Sequence, residues 1–394
     1  MQAITPAGLE GLAKYKYSSV DSSPLSNQVM HPFWNFCVKY FIPIWLAPNV
    51  LTFAGFLCLL GNYLVSWYYD PDLTMATLNL NSVPQYVWFL MSFAHFMSHT
   101  LDGCDGKQAR KTGKSTPLGE LMDHGLDSMA AWLQMITAAS AVGVAGYPWV
   151  LYTITCGVVL SFYLTHWEKY NTGVLFLPWT YDASQLLVTS VYLLAGLFGT
   201  QFFTAPLLDL SALHESWTQV SILHIFIVTS YVSILMQPIQ SVINIVSAPK
   251  RLHGFVDGFM PLVPLIAMFA FFTFWAYASP ANLLVSNGRV LLTALGLAFS
   301  NLTCQLIVSQ MTSQIHRSNN LILAPLPFIA GAIYWGFVVS PAVDTWVLYG
   351  YTLFAALLHV SYGVNLVQTI CQHINIYCFS ITSTPRPVAN KKQK

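Results

Sequence analysis

The sequence predicts an all-α polytopic membrane protein of about ten transmembrane helices, preceded by an N-terminal interfacial helix. Three observations predict it. Charged residues make up 8% of 394 positions and hydrophobic residues 55%, whereas a soluble domain is roughly 25% charged. Ten stretches stay apolar for the roughly 20 residues needed to cross hydrocarbon. Fifteen of the sixteen lysines and arginines then fall on one side of the bilayer, the asymmetry of the positive-inside rule. Soluble folds and intrinsic disorder are both excluded, because so few charges cannot keep a chain in water. The net charge of +1 leaves no basic field for nucleic acid.

Taken in chain order, the first residues, with Lys14 and Lys16, lack the short apolar core and small-residue cleavage site of a removable leader. The first span is therefore expected to act as an uncleaved anchor. Between Val29 and Ala47 the aromatics Phe33, Trp34, Phe36, Tyr40, Phe41 and Trp45 mix with His31, Asn35 and Lys39, a pattern that suits a short helix lying at headgroup level. Spans follow over 50–69, 84–102, 119–145, 148–167, 183–203, 218–246, 255–278, 288–311, 320–340 and 344–370. The third is the least apolar, because Glu120, Asp123, His124 and Asp127 occupy its first part. Of the basic residues only Arg289 lies opposite the others, so an even number of spans with both ends cytoplasmic is expected. Four segments result: a cytoplasmic N-terminus with the interfacial helix (1–49), helices that carry the chemistry (50–203), further spans poor in polar candidates, read as scaffold or oligomer surface (204–372), and a cytoplasmic tail (373–394). The seven cysteines are odd in number and show no paired metal-type spacing, which argues against a disulfide framework or a zinc site.

Chemistry concentrates between the second and third spans, in the run TLDGCDGKQARKTGKSTPLGELMDHGLD over 100–127. Asp102 and Asp105 are three residues apart and Asp123 and Asp127 four apart, so each pair projects from one face of its own helix. If those helices are antiparallel neighbours, four carboxylates converge at one membrane edge, where they would repel and be costly to desolvate. Hard divalent cations such as Mg²⁺ or Mn²⁺ resolve the conflict, since they prefer carboxylate oxygens and keep positions open for phosphate. Gly106, Ala109 and Gly119 allow close backbone approach, and Arg110 offers a planar fork to phosphate oxygens. Acids that merely paired with Lys107, Lys111 and Lys114 would need neither the helical spacing nor the glycines.

Asp102-x-x-Asp105-Gly106-x-x-Ala109-Arg110 followed by Gly119-x-x-x-Asp123-x-x-x-Asp127 resembles the CDP-alcohol phosphotransferase motif at all of its fixed positions. Pro48-Asn49-Val50-Leu51-Thr52 resembles that family's first-span entry. His124 after the third aspartate, together with the large number of spans, resembles the eukaryotic choline/ethanolamine branch. His166-Trp167-Glu168-Lys169-Tyr170-Asn171-Thr172-Gly173 through Leu177-Pro178-Trp179, and Met30-His31-Pro32-Phe33-Trp34-Asn35, look most like its ethanolamine-handling members. The resemblance covers nearly the whole chain. It implies transfer of phosphoethanolamine from CDP-ethanolamine to the sn-3 hydroxyl of diacylglycerol, giving phosphatidylethanolamine and CMP. A choline or dual-specificity enzyme is the neighbouring alternative.

On that resemblance Asp102, Asp105, Asp123 and Asp127 are expected to hold two Mg²⁺ or Mn²⁺ ions. His124 is expected to be the catalytic base, as an imidazole titrates near neutral pH, with Asp127 the runner-up. Substrate contacts are expected from Asn49 (otherwise a helix cap), Ser98, Gly106, Lys107, Arg110, Gly119 and Glu120. Glu168 is a candidate for telling a primary ammonium from trimethylammonium, and Trp167 and Tyr170 for holding either cation. His95, His99, His224 and His359 read as hydrogen-bonded core residues. The terminal Lys391-Lys392-Gln393-Lys394 resembles a dilysine retrieval signal of endoplasmic-reticulum membrane proteins, and the family resemblance suggests a homodimer. Asn301-Leu302-Thr303 matches a glycosylation acceptor inside a predicted span, so no modification is expected. A transporter would also accommodate ten spans with intramembrane acids, but its acids would sit near mid-membrane in matching halves, and no second half repeats these.

Overall fold

A computed structural model describes residues 4–73, 83–177, 181–209, 219–249, 251–316 and 320–381. The chain is almost entirely helical. Before the first expected span come α1 (Pro6–Lys14), a short strand β1 (Ser19–Asp21) and α2 (His31–Tyr40). Then follow α3 (Pro48–Tyr69), α4 (Gln85–Thr112), α5 (Pro117–Val142) and α6 (Pro148–Thr172). Strand β2 (Leu175–Leu177) leads to α7 (Tyr181–Phe198), the single turn α8 (Gln201–Thr204), and α9 (Ile222–Ser247). The remainder is α10 (Phe255–Phe259), α11 (Leu262–Ala278), α12 (Leu283–Ser286), α13 (Gly288–Met311), α14 (Pro325–Tyr334) and α15 (Pro341–Ile374).

Every stretch read as a span coincides with helix, but six helical segments among the described residues are both long and apolar enough to cross a bilayer: Pro48–Tyr69, Pro148–Thr172, Ile222–Ser247, Phe255–Ala278, Gly288–Met311 and Pro341–Ile374. In α4 and α5 the apolar face is diluted by polar residues that point into the bundle, among them Ser92, His95, Ser98, His99, His124 and Ser128. The ninth stretch contains only the ten-residue α14 after a single tight turn at Leu321–Leu323.

Local sequence explains how the acid-bearing helices pair. Gly113 ends α4 at φ 65°, a left-handed conformation that costs glycine little. Thr116 then caps α5, its hydroxyl accepting from the Gly119 amide at 3.2 Å, with Pro117 at the first helical position. The short turn joins the two helices, and α3 packs on both, so that α4 and α5 meet through α3 and at their acid-bearing ends. Gly103 lets α2 approach: a Cβ there would lie 2.1 Å from the Trp34 ring. Helix α2 buries Trp34 and Val38 and exposes Phe36, Tyr40 and Phe41.

The spans read as scaffold or oligomer surface divide differently. Helix α13 is the most enclosed of the six, with 89% of its most apolar stretch buried, and it packs on α5, α6 and α15. It lies inside the bundle, where an added Cβ at Gly296 would stand 2.3 Å from the Trp132 ring of α5. Polar knots tie the end of the bundle remote from the acids. Arg289, the single basic residue assigned to that side, is buried, and its guanidinium donates to the Asp70 carbonyl at 2.7 Å and lies over the Tyr63 ring. The Asp70 carboxylate accepts from the Ser140 hydroxyl. In a second knot, Asp344 accepts from Trp275 Nε1 at 2.9 Å and from Ser279.

Candidate active site

Helices α4 and α5 bring Asp102, Asp105, Asp123 and Asp127 together. Ligand oxygens of Asp102, Asp105 and Asp123 lie within 4.8 Å of one another, and so do ligand atoms of Asp123, His124 and Asp127. Asp123 belongs to both groups, which makes two adjacent oxygen-rich positions with a shared carboxylate. Among the described residues no lysine or arginine pairs with any of these four acids. Lys111 donates instead to the Val38 and Ile42 carbonyls at 2.6 and 3.0 Å, Lys107 lies 6.0 Å from the Trp34 ring centroid, and Arg110 is exposed. Carboxylates so close and so weakly compensated are a donor set suited to hard divalent cations.

Two of the acids are oriented by hydroxyl groups. Thr52 of α3 donates to Asp105, and Tyr181 at the start of α7 donates to Asp102 Oδ2 at 3.1 Å. Asp182, the next residue, accepts from Ser26 and pairs with His99 Nε2 at 2.8 Å. His99 is thus a bonded interior residue, as expected. His224 caps α9 through Ser221, whereas both ring nitrogens of buried His95 and Nδ1 of His359 lack a hydrogen-bond partner among the described residues.

His124 Nδ1 stands 3.9 Å from Asp127 Oδ2, and its Nε2 is buried without a protein partner among the described residues. The rings of His166 and Tyr17 flank it at 5.2 and 6.1 Å. Gly106 and Gly119 keep space clear: an added Cβ would meet nothing closer than Arg110 Nη1 or Asn49 Oδ1, each at 3.6 Å. Ser98, by contrast, is buried where its backbone meets Gly55 of α3, with 3.1 Å between the Ser98 carbonyl and an added Cβ.

Some positions differ from the sequence reading. Ala47, not Asn49, is the N-cap of α3, because Pro48 takes the first helical position. Asn49 is buried at the second, and its Nδ2 donates to the Cys378 carbonyl at 3.0 Å, which draws the segment after α15 onto the site. Lys169 is not a loop residue beyond its span. Helix α6 continues to Thr172, and Lys169 is buried with Nζ on Glu120 Oε1. The Tyr15 hydroxyl donates to the same oxygen at 2.7 Å, while Glu120 Oε2 is buried and unpartnered among the described residues. Burial, reinforced by the Glu120 charge, pushes the Tyr15 phenol up, so it remains a donor. Glu168 points away from the acids, accepting from Asn244 of α9 at 2.6 Å. Trp167 donates to the Gly258 carbonyl and Tyr170 stacks on His253 at 4.0 Å; both rings serve packing. Pro178-Trp179 and the C-terminal lysines lie outside the described residues.

Residues 15–21 form an arm over this site that the sequence reading did not single out. Strand β1 pairs in parallel with β2, Ser19 opposite Leu175 and Asp21 opposite Leu177, which sets Tyr15 and Tyr17 above Lys169. The roles of Tyr15, Tyr17 and Tyr181, and the bond from Thr52 of the first-span entry to Asp105, are not legible in the sequence because isolated hydroxyls have no spacing signature.

A helical membrane bundle with two adjoining acidic ligand groups at one end defines a class: enzymes that act on phosphate-bearing substrates where lipid meets water. The CDP-alcohol phosphatidyltransferase family profile matches residues 45–246. Human ethanolaminephosphotransferase 1 is 40% identical over 387 residues, covering 96% of this chain and 94% of the relative. Choline/ethanolaminephosphotransferase 1 of Arabidopsis thaliana is 30% identical over 97% of this chain and 99% of its own, and that of Saccharomyces cerevisiae 27% identical over 96% and 97%. The chain belongs to the CDP-alcohol phosphatidyltransferase family.

Proposed function

We propose that this enzyme transfers phosphoethanolamine from CDP-ethanolamine to the sn-3 hydroxyl of diacylglycerol, producing phosphatidylethanolamine and CMP. The observation that carries the chemistry is the pair of acidic groups sharing Asp123. The ethanolamine assignment rests on the 40% identity to ethanolaminephosphotransferase 1. Asp102, Asp105, Asp123 and Asp127 would hold two Mg²⁺ or Mn²⁺ ions, which neutralise charge on the diphosphate and on departing CMP. Exposed Arg110, with Lys107 beside it, takes diphosphate oxygens, and the clear space at Gly106 and Gly119 admits the nucleotide next to Asn49. Ser98 and the free Oε2 of Glu120 complete the expected substrate contacts.

The acceptor hydroxyl oxygen attacks the phosphorus that carries ethanolamine, and the bond from that phosphorus to the CMP oxygen breaks. The hydroxyl proton goes to His124 Nε2, the nitrogen left without a protein partner, while Nδ1 faces Asp127. Asp127 is the alternative base. Diacylglycerol arrives laterally with its acyl chains in lipid, and the water-soluble donor from the cytosol.

Ten spans, an interfacial α2, both termini in the cytosol and residence in the endoplasmic reticulum belong to the same reading, supported by the one-sided basic residues and the lysines at 391, 392 and 394. So do a homodimer and the division into a catalytic 50–203 and a scaffolding 204–372. Purified protein in lipid nanodiscs tests the reaction. CMP release that requires diacylglycerol and is faster with CDP-ethanolamine than with CDP-choline supports it. Equal rates point to a dual enzyme, and substrate movement without CMP release to a transporter.

A further inference from the structure

In the reaction proposed above, ethanolamine remains bonded to the phosphorus under attack, so its ammonium lies within a two-carbon tether of that atom. The base that deprotonates the acceptor must be within hydrogen-bond reach of the attacking oxygen. The headgroup pocket is therefore beside His124, and the arm places Tyr17 there, its ring centroid 6.1 Å from the imidazole. Burial pushes the Tyr17 phenol up, and the charges of Asp123, Glu120 and Asp105 push it further. Half of Tyr17 stays exposed (50%), leaving ring surface for a ligand.

This corner already holds a primary ammonium. Lys169 Nζ donates to Glu120 Oε1 and stands 4.6 Å from the Tyr17 ring centroid and 5.8 Å from that of Tyr15. Lys169 uses one carboxylate oxygen only. The other, Glu120 Oε2, is buried with no donor among the described residues, on a side chain 7% exposed, and an unmade bond of that kind is costly. Glu120 precedes Asp123 by three residues on α5 and so shares its face. A carboxylate between two ammonium groups has both oxygens paired.

We infer that Tyr17 and Glu120 form the headgroup site of the donor substrate, the ring taking the alkylammonium and Oε2 accepting its N–H. A primary ammonium offers three donors and a trimethylammonium none, so Glu120 selects for ethanolamine while Tyr17 serves any alkylammonium. Tyr17 lies outside the 45–246 region that the family profile matches; the N-terminal arm thus contributes the cation-holding ring, while the selecting Glu120 lies within that region. The inference rests on the proposed reaction.

The test uses full-length enzyme in diacylglycerol-containing nanodiscs, with CDP-ethanolamine and CDP-choline as substrates and CMP as a competitive inhibitor lacking the headgroup. Tyr17→Ala is expected to raise KM for CDP-ethanolamine about tenfold while the CMP inhibition constant stays put, and Tyr17→Phe to behave as wild type. Glu120→Gln is expected to narrow the preference for ethanolamine over choline. Equal weakening of CMP and CDP-ethanolamine in Tyr17→Ala, an unchanged KM, or a Phe variant as impaired as Ala each overturns the headgroup site. An unchanged ethanolamine preference in Glu120→Gln overturns the selection. Wild-type protein that releases no CMP from either donor defeats the parent reaction instead, a result distinguishable from all of these.

Discussion

Among single residues, Asp105 and His124 separate electrostatics from proton transfer. Asp105 is buried and oriented by Thr52 within a group of three carboxylates. Asp105→Asn keeps the shape but removes a charged ligand, and is expected to abolish CMP release and to weaken Mn²⁺ binding measured by electron paramagnetic resonance; retained turnover would refute the ligand assignment. His124→Ala removes the proton acceptor without touching the carboxylates. Its CDP-ethanolamine affinity should hold while kcat falls roughly 10²–10⁴-fold, and an unchanged kcat would transfer the role to Asp127. The four aspartates were legible in the sequence because helical spacing alone puts each pair on one face, and a four-residue turn keeps the two acid-bearing ends close. Lys169 was not. Its contact with Glu120 spans 49 residues, and nothing in a lysine after an apolar run distinguishes a buried partner from a solvated one. Asn49 lies in the first turn of α3, yet its bond to Cys378 crosses 329 positions and has no local signal.

At the scale of elements, α5 is held from both sides, by α3, which packs on it, and by α13 through the Gly296–Trp132 contact. Trp132 cannot retreat, because its ring is buried and its Nε1 donates to Ser300 of the same α13 at 3.1 Å. Gly296→Ala forces a methyl into that ring and is expected to destabilise the protein by about 1–3 kcal/mol, read as a lowered Tm in detergent. Gly350→Ala in the interior of α15, where an added Cβ meets nothing within 4 Å, is the matched control and should not lower Tm. Apolar periodicity located α13 but not its enclosure, since a helix apolar on all sides reads alike whether it faces lipid or protein. The same ambiguity left scaffold and oligomer surface undivided for the later helices.

For the whole molecule, the distribution of basic residues predicts that the acids face the cytosol. Ser115 in the α4–α5 turn and Ser286 before α13 are both exposed and belong to opposite ends of the bundle. With native cysteines replaced, Ser115→Cys is expected to react with a membrane-impermeant maleimide only from the cytosolic side of sealed microsomes and Ser286→Cys only after the lumen is opened. Labelling of both from one side would overturn the span count. Helix α15 fits this layout: its 34 residues extend about 50 Å, longer than the roughly 30 Å of hydrocarbon, so one end stands in water and returns Cys378 to Asn49.

The knots around Arg289 and Asp344 carry a mechanical consequence. Stripping the guanidinium from the Asp70 carbonyl would abandon a charge in a dry interior, which is far more costly than parting apolar side chains. The bundle is therefore hinged at that floor, and any breathing that lets a two-tailed lipid slip in, or a longer-headed product slip out, takes place at the opposite rim, beneath the arm.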